Sequence, residues 1–172
     1  MKVDITLSPL ANVLAAINAA NPNLKATASQ VTLGTPYADA GNGGRNTAVV
    51  MTAILDAGFS GSNTYHYTRR GLAAGQAIAT SKAVPMEILR ADTDAGLLTK
   101  IAGLLGLVES EISLANIVRP ADANTPGSVD VVAKATSLLY TGTFAATLTD
   151  SEQVPLSEAA PNTNLGGFDI EA

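Results

Sequence analysis

Two short stretches far apart in the chain carry the same succession of residue types. Residues 57–69 read AGFSGSNTYHYTR and residues 137–150 read SLLYTGTFAATLTD. In each stretch an aromatic residue, a small hydroxyl residue, a glycine and a second hydroxyl residue precede a strand-like segment. Because glycine readily adopts the positive φ of tight turns, we predict equivalent structural turns at Gly61 and Gly142.

Helical periodicity also occurs twice, and each helix has its own start and stop signals. Ser8 followed by Pro9 is a good helix start, and Pro22 disfavours helical geometry at the preceding residue. The second helix has Asp92 or Thr93 as its cap and ends at Gly106. The apolar stripes that define the two helices are Leu10, Val13, Leu14 and Ile17, and then Leu97, Leu98, Ile101, Leu104 and Leu105.

Strand-like segments surround both helices in the same order. KVDITL (2–7) and VPMEIL (84–89) precede them, and QVTL (30–33) and EISL (111–114) follow them. After a polar loop come TAVVMTAIL (47–55) and SVDVVAKAT (128–136), and then the two glycine turns with their strands. An offset of 81 positions with no gap aligns residues 31–69 with the second half, so that Val31 matches Ile112 and Thr68 matches Thr149.

The repeated order predicts an α+β fold made of two diverged βαβββ repeat units, with mostly antiparallel sheets and one helix each. The first unit spans residues 1–72 and the second spans residues 85–150, with a linker at 73–84 and a C-terminal arm at 151–172. Whether the two sheets are continuous or pack face to face stays open at this stage.

Composition limits the classes of partner. The chain of 172 residues contains no cysteine, so disulfides and thiolate metal sites are excluded. Its 15 acidic and 10 basic residues give a net charge of −5, which opposes nucleic-acid binding because phosphates need Lys and Arg. No apolar run reaches the roughly 18 residues of a membrane span, so no membrane partner is predicted.

Several motifs of the first unit carry a family resemblance. They are the Thr35–Pro36 turn, the Asn46–Thr47 pair that ends the polar loop, the 58–62 turn GFSGS, and Tyr67 with Arg69 or Arg70. With them, residues 31–72 resemble a module of virion structural proteins from large-genome tailed bacteriophages. Residues 93–150 resemble more weakly what often follows that module. The second unit lacks the Tyr/Arg pair, and Arg70 stands where the module has an acidic or polar residue.

The resemblance implies a non-enzymatic structural subunit of the virion, in the tail or neck or on the head surface. Such a subunit is assembled in the host cytoplasm and contacts other virion proteins and copies of itself, with no small-molecule substrate. The alternative is a host-surface or carbohydrate-binding module displayed on a particle or cell. That alternative needs aromatic platforms, but only 4% of the residues are aromatic and none is Trp.

A few residues are candidates for contact with a partner. His66 alternates with Tyr65 and Tyr67 along a strand, so the tyrosines are predicted to face inward and His66 outward. Arg69 and Arg70, together with Lys82, are predicted to form a basic spot in an acidic protein and to meet carboxylates of a neighbouring subunit or water. The C-terminal arm contributes Phe168 and Ile170, the apolar residues near its end, as predicted anchors in a groove of this chain or of a neighbour.

No catalytic residue, cofactor or metal site is predicted. The GNGGRNT loop (41–47) lacks the Gly-Lys-Ser/Thr ending of a phosphate loop, so it is predicted to be a connection between strands. Asp39 with Asn42, and Asp122 with Asn124, carry oxygens that suit calcium but lack the spacing of the calcium-binding loop between two helices. Two acidic pairs remain. Asp92 and Asp94 fit a helix start, and Glu109 and Glu111 are both predicted to face water.

Overall fold

The computed structural model describes residues 3–72, 92–121 and 125–150, together with the backbone of residues 86–88. The linker, the C-terminal arm with Phe168 and Ile170, and the pair Asp122 and Asn124 lie outside the described residues. In chain order the elements are α1 (Pro9–Ala20), β1 (Val31–Leu33), β2 (Tyr37–Ala38), β3 (Thr47–Ala53), β4 (Ser62–Tyr67), β5 (Arg70–Gly71), β6 (Met86–Ile88), α2 (Asp94–Leu105), a 3-10 helix (Glu109–Glu111), β7 (Ile112–Val118), β8 (Gly127–Ala133), β9 (Tyr140–Thr141) and β10 (Thr143–Asp150).

Both helices begin and end where their capping residues predict. The Ser8 hydroxyl accepts a hydrogen bond from the Ala11 N–H at 3.2 Å, and Pro9 occupies the first helical position of α1. At the start of α2 the Thr93 hydroxyl accepts from the Gly96 N–H at 3.1 Å. Gly106 ends α2 with φ 62°, a left-handed conformation that glycine adopts at little cost.

The segment before α1 is a turn, so the predicted strand at 2–7 is wrong. The Asp4 carboxylate accepts from the Thr6 N–H at 2.9 Å, and the Asp4 carbonyl accepts from the Leu7 N–H at 3.2 Å. The buried Asn12 side chain holds this turn by bonding the Asp4 N–H and the Asp4 carbonyl. Asp side chains compete in this way with strand pairing, and Ile5 is left 56% exposed. Over residues 3–7, where the structure describes this segment, the first unit therefore lacks the initial strand of the predicted βαβββ order.

The chain forms two four-stranded sheets. In the first, β3 pairs antiparallel with β4 along one side and with β1 and β2 along the other. The second has the order β6-β10-β8-β7, in which only β6 runs parallel to its neighbour. A short parallel pair, β5 with β9, connects the two halves. The fold is therefore α+β with mostly antiparallel sheets, as predicted.

The glycine turns are equivalent in the two sheets. Gly61 and Gly142 have φ of 77° and 85°, which confirms the predicted positive values. The Gly61 carbonyl accepts from the Ala53 N–H at 2.9 Å, and the Gly142 carbonyl accepts from the Ala133 N–H at 3.0 Å. Both turns therefore close a hairpin with the same hydrogen bond.

The strand registers match with one correction to the predicted alignment. Thr52 pairs with Ser62 in the first sheet, and Val132 pairs with Thr143 in the second. Thr52 therefore corresponds to a residue 80 positions later, whereas Ser62 corresponds to one 81 positions later. The single offset without a gap is wrong by one residue in the middle strand. That the two halves are copies of one unit stays a prediction.

One continuous apolar cluster runs through both halves. Each helix contributes a stripe to it, and each sheet contributes the residues of its inner face. Burying such side chains is the main favourable term in folding. The cluster includes Val13, Leu14, Ile17, Val49 and Met51 from the first half, Leu97, Ile101, Ile112, Val129 and Val131 from the second, and Leu72, Leu139 and Tyr140 where the halves meet. Within the described residues, no helix is long and apolar enough to cross a bilayer.

Glu111 is buried, which contradicts the prediction that it faces water. Its side chain is only 7% exposed, whereas Glu109 in the same 3-10 helix is exposed. The Glu111 carboxylate accepts from the Ser137 hydroxyl at 2.8 Å and from the Leu139 N–H at 3.0 Å. These donors compensate the cost of removing the carboxylate from water.

Candidate functional site

The outer face of the first sheet presents polar side chains in rows across the strands. Tyr37, Ala48 and His66 are directly paired across β2, β3 and β4, so their side chains share one face. Tyr37 and His66 are exposed on that face. Tyr65 and Tyr67 lie on the other face, where both are half-buried against the apolar cluster. The predicted orientation of the tyrosines and His66 is confirmed.

His66 is held by the loop that connects β2 to β3. Its Nδ1 lies 2.6 Å from Asp39 Oδ2, and Asn42 Nδ2 donates to the same oxygen at 3.0 Å. The Asp39 carboxylate can only accept, so Nδ1 carries a proton and donates a hydrogen bond to Asp39. The Asn42 amide nitrogen lies 3.1 Å from His66 Nδ1 and 3.4 Å from the other ring nitrogen, Nε2. Because Nδ1 carries the proton, only Nε2 can accept from this amide.

These contacts attach the β2–β3 loop to β4, and we call the cluster of Asp39, Asn42 and His66 the clasp. The bond from Asn42, then the Gly41 N–H at 3.0 Å, and then His66 lower the pKa of the Asp39 carboxyl below its ordinary value. A carboxylate beside a histidine can orient it for proton transfer. Here, however, the Asn42 amide lies 3.4 Å from Nε2, the nitrogen that would act as the base. The geometry therefore favours a role for Asp39 and His66 in positioning the loop.

The loop itself is a connection between strands, as predicted. It turns through Gly43 and Gly44, whose φ values are 60° and 76°. The turn places Arg45 next to β4, a position that no motif of the sequence predicts. The only signal in the sequence is that Arg45 is the one cation in a glycine-rich loop. Within the described residues, no cluster of three or more His, Asp or Glu side chains has a geometry that suits a metal ion.

Arg69 and Arg70 differ sharply in their surroundings. The Arg69 side chain donates to the Thr47 hydroxyl at 2.9 Å and to the Ser137 carbonyl at 3.0 Å, so it ties the first half to the second. Arg70 is exposed beside it. Contact of either arginine with a partner stays a prediction, and the internal bonds of Arg69 leave Arg70 the more available of the two.

A groove of about 270 Å³ lies between α1 and β4. Its helix side consists of Val13, Ala16, Ile17 and Ala20. Its strand side and rim consist of Asn21, Arg45, Tyr65, His66, Tyr67 and Thr68. The volume lies just below that of clefts for drug-sized ligands, so the groove suits one or two side chains. Its lining residues include the cation Arg45 and no carboxylate.

The strand that borders this groove has an open edge. The bond from Ala53 to Gly61 fixes which residues of β4 bond to β3, and by alternation Ser62, Thr64 and His66 direct their backbone groups away from it. In the described part of the chain, β3 is the only strand that pairs with β4. The pairing of β4 is regular over its whole length.

The edge strand β7 of the second sheet is different. In β7 the register shifts between Ala115 and Val118, and Asn116 has φ 50°. Such a bulge twists an edge strand and prevents it from pairing with another chain. In contrast, β4 contains no Pro, Lys or bulge of the kind that protects edges. The β4 edge is therefore a better template for an added strand than the β7 edge.

Sequence comparison assigns the chain to a family but not to an activity. No curated protein and no solved structure matches it. A family model matches residues 4–170, a span that includes α1, both sheets and most of the C-terminal arm. The chain therefore belongs to the family of unknown function DUF7941.

Proposed function

We propose that the chain is a non-enzymatic structural subunit of a tailed-phage particle, in its tail or neck or on its head surface. It acts there through contacts with other virion proteins and with copies of itself. The resemblance of residues 31–72 to a virion module supports this role. That module supplies all the strands of the first sheet.

The observation that carries the proposal is the regular, unprotected edge of β4. Free monomers usually block such edges, because an open row of backbone donors and acceptors pairs with other chains. A subunit that is covered after assembly has no need of this protection. Exposed apolar side chains at the far end of the same hairpin add to the argument, since Leu55 is 87% exposed beside Ile54.

Two variants at Thr64 test whether this edge is used in assembly. The Thr64 N–H points away from β3 and is held by Asn63 Oδ1 at 2.9 Å, a bond that a partner strand would replace. Thr64→Pro removes this donor at an edge position, where proline is tolerated, whereas Thr64→Val keeps it. We expect both variants to fold, with a cooperative thermal transition, but only Thr64→Val to be incorporated into particles.

The role itself is tested on purified particles of the phage that encodes the chain. Mass spectrometry should find the chain in multiple copies per particle, and cryo-electron microscopy should locate its density in the tail, neck or head surface. Absence of the chain from infectious particles would refute the proposed role. Equal incorporation of the two Thr64 variants would refute the use of the edge but leave the role intact.

A carbohydrate- or host-surface-binding module is the second candidate. It is favoured by the outer face of the first sheet, where exposed Tyr37 shares a face with His66 and with the row of Thr32, Thr52 and Ser62. An aromatic ring beside hydroxyl groups is a surface on which a sugar ring can stack. Binding of the full chain to a glycan array or to host cells, lost in Tyr37→Ala, would favour this candidate over the structural role.

A further inference from the structure

We infer that the groove between α1 and β4 binds the C-terminal arm of a second copy of this chain, with Phe168 and Ile170 against the apolar wall. The inference rests on the proposed structural role and deepens it by naming what covers the β4 edge. The occupant is residues 167–172, GFDIEA, added as a short strand along β4.

The chemistry of the arm complements that of the groove. In an extended GFDIEA segment Phe168 and Ile170 share one face, and Asp169 and Glu171 share the other. The groove has an apolar wall from α1 and from Tyr65 and Tyr67, and its rim carries the cation Arg45. The Asp39 carboxylate lies behind the rim, where it is occupied by His66 at 2.6 Å and by Asn42 at 3.0 Å. Arg45 is thus the group of the rim that can pair with a carboxylate of the arm, although the whole chain has a net charge of −5.

The open edge supplies the backbone partners that such a strand needs. The alternation along β4 directs the N–H and C=O groups of Thr64 and His66 away from β3. Tyr65, His66, Tyr67 and Thr68 are consecutive and all line the groove, although their side chains alternate between the two faces of the sheet. The groove therefore follows the strand edge.

The point where the arm begins favours a second copy over the same chain. The groove lies close to the connection between the two halves, because Tyr67, which lines it, donates its hydroxyl proton to the Leu138 carbonyl at 2.9 Å. From there β10 runs the length of its sheet, and at about 3.4 Å per residue Asp150 is some 24 Å farther on. The arm thus leaves the chain from the end of β10 that is remote from the β5–β9 connection.

The arm is long enough to reach the groove of its own chain or the groove of a neighbouring copy. The 18 residues from Asp150 to Phe168 span at most about 60 Å, which is enough to reach a neighbour or to return. The family model extends to residue 170 and so covers the arm together with the groove. Because each copy carries one arm and one groove, the contact is heterologous, and its repetition builds a ring or a filament.

Cysteine cross-linking of the full-length chain tests the inference directly, because the chain has no native cysteine. Ala172→Cys labels the arm, and Ala20→Cys labels the groove at an exposed position. Ala15→Cys is the matched control, since it is exposed on the opposite side of the same helix. A disulfide forms only when the two Cα atoms approach to about 4.4–6.8 Å.

We expect mixed A172C and A20C chains to cross-link about tenfold faster than mixed A172C and A15C chains, because docking raises the local concentration of the thiols. Mass spectrometry of the linked peptides identifies the pair. Equal rates for the two mixtures would overturn the docking. In a chain that carries both A20C and A172C, a disulfide within the chain competes with one between chains. Faster formation of the disulfide within the chain would overturn the second copy as the source of the arm.

A charge exchange tests the role of Arg45 in the same assay. Arg45→Glu should lower the cross-linking rate of the groove pair, and adding Glu171→Arg to the arm should restore it. Failure to restore the rate would overturn this pairing of charges. Because the assay uses purified chains alone, its result is independent of whether the chain is found in phage particles.

Discussion

Glu111 shows how a single buried carboxylate organises a turn. Its two donors, the Ser137 hydroxyl and the Leu139 N–H, lie 26 and 28 residues later in the chain. The Ser137 hydroxyl also accepts from the Tyr140 N–H at 2.9 Å, which extends the network to the start of β9. A buried donor that loses its acceptor lowers stability by about 1–3 kcal/mol, so removal of the Glu111 carboxylate should destabilise the fold.

We predict that Glu111→Ala lowers the free energy of unfolding by about 2–4 kcal/mol, because two buried donors lose their acceptor. Glu109→Ala is the matched control in the same 3-10 helix, and it should change this free energy by less than about 0.5 kcal/mol. Urea denaturation of both variants measures the difference. Similar losses at the two positions would mean that the carboxylate network contributes little.

Asp39 offers a second test at the scale of one residue. The hydrogen bond from the Asn42 amide is the largest single cause of its lowered pKa, and His66 lowers it further through a hydrogen bond and through its charge. We therefore predict that Asn42→Ala and His66→Ala each raise the pKa of Asp39, as measured by NMR titration of the carboxyl group. A lowered folded-state pKa adds stability above the unfolded value of 3.8, and that stability is lost as pH falls through the folded value.

A larger shift in His66→Ala would show that the two contributions of His66 together exceed that of the amide, and an unchanged pKa in both variants would contradict these causes. The same variant tests the clasp. If the clasp only positions the loop, His66→Ala should leave the fold and its melting temperature nearly unchanged, as for other exposed residues.

At the scale of elements, the features that short stretches of sequence specify could be predicted. The two helices were predictable because their apolar stripes and caps lie within a dozen residues, and the glycine turns because their backbone needs positive φ. The strand at 2–7 was wrong because the Asp4 side chain bonds the Thr6 N–H, a competing interaction that alternation does not reveal. The burial of Glu111 was missed because its partners are remote in the sequence.

Part of the site was equally predictable. Alternation alone placed His66 outward and Tyr65 and Tyr67 inward, since a strand has a strict period of two. The groove was not predictable, because it needs α1 and β4 to be adjacent, and tertiary packing decides that adjacency. Arg45 went unnoticed for the same reason.

Substitutions of glycine test whether the hairpin turn needs its conformation. Gly61 has φ 77°, and an added Cβ would meet no atom within 4 Å, so only the backbone opposes a side chain there. We predict that Gly61→Ala lowers the free energy of unfolding by about 1–2 kcal/mol. Gly103 in α2 also has open space around it but a helical backbone, so Gly103→Ala should raise this free energy by about 0.5–1 kcal/mol.

Thermal and urea denaturation of the two glycine variants measures both the expected loss of stability in Gly61→Ala and the expected gain in Gly103→Ala. A neutral or stabilising Gly61→Ala would contradict the requirement for positive φ in the turn. The opposite signs come from the same chemical change, an added methyl group, and so isolate the backbone term from burial.

At the scale of the whole molecule, the two sheets are joined by few but specific contacts. The β5–β9 pair contributes backbone bonds, from the Arg70 N–H to the Leu139 carbonyl and from the Leu72 N–H to the Thr141 carbonyl. The Arg69 guanidinium and the Tyr67 hydroxyl add two side-chain bonds to the carbonyls of Ser137 and Leu138. Burial of the Tyr67 ring raises the pKa of its hydroxyl to about 12, so this donor keeps its proton near neutral pH.

Neighbouring arginines provide the test of this connection. Arg69→Ala removes a charged donor from the Ser137 carbonyl and from the buried Thr47 hydroxyl, and should lower the free energy of unfolding by about 2–3 kcal/mol. Arg70→Ala, at an exposed side chain, should change it by less than about 0.5 kcal/mol. Because Arg69 and Tyr67 donate to adjacent carbonyls of one turn, the double variant Arg69→Ala/Tyr67→Phe should lose less unfolding free energy than the two single variants lose in sum. Strictly additive losses in urea denaturation would show that the two bonds act independently. Equal losses for Arg69→Ala and Arg70→Ala would contradict the role of Arg69 in connecting the two halves.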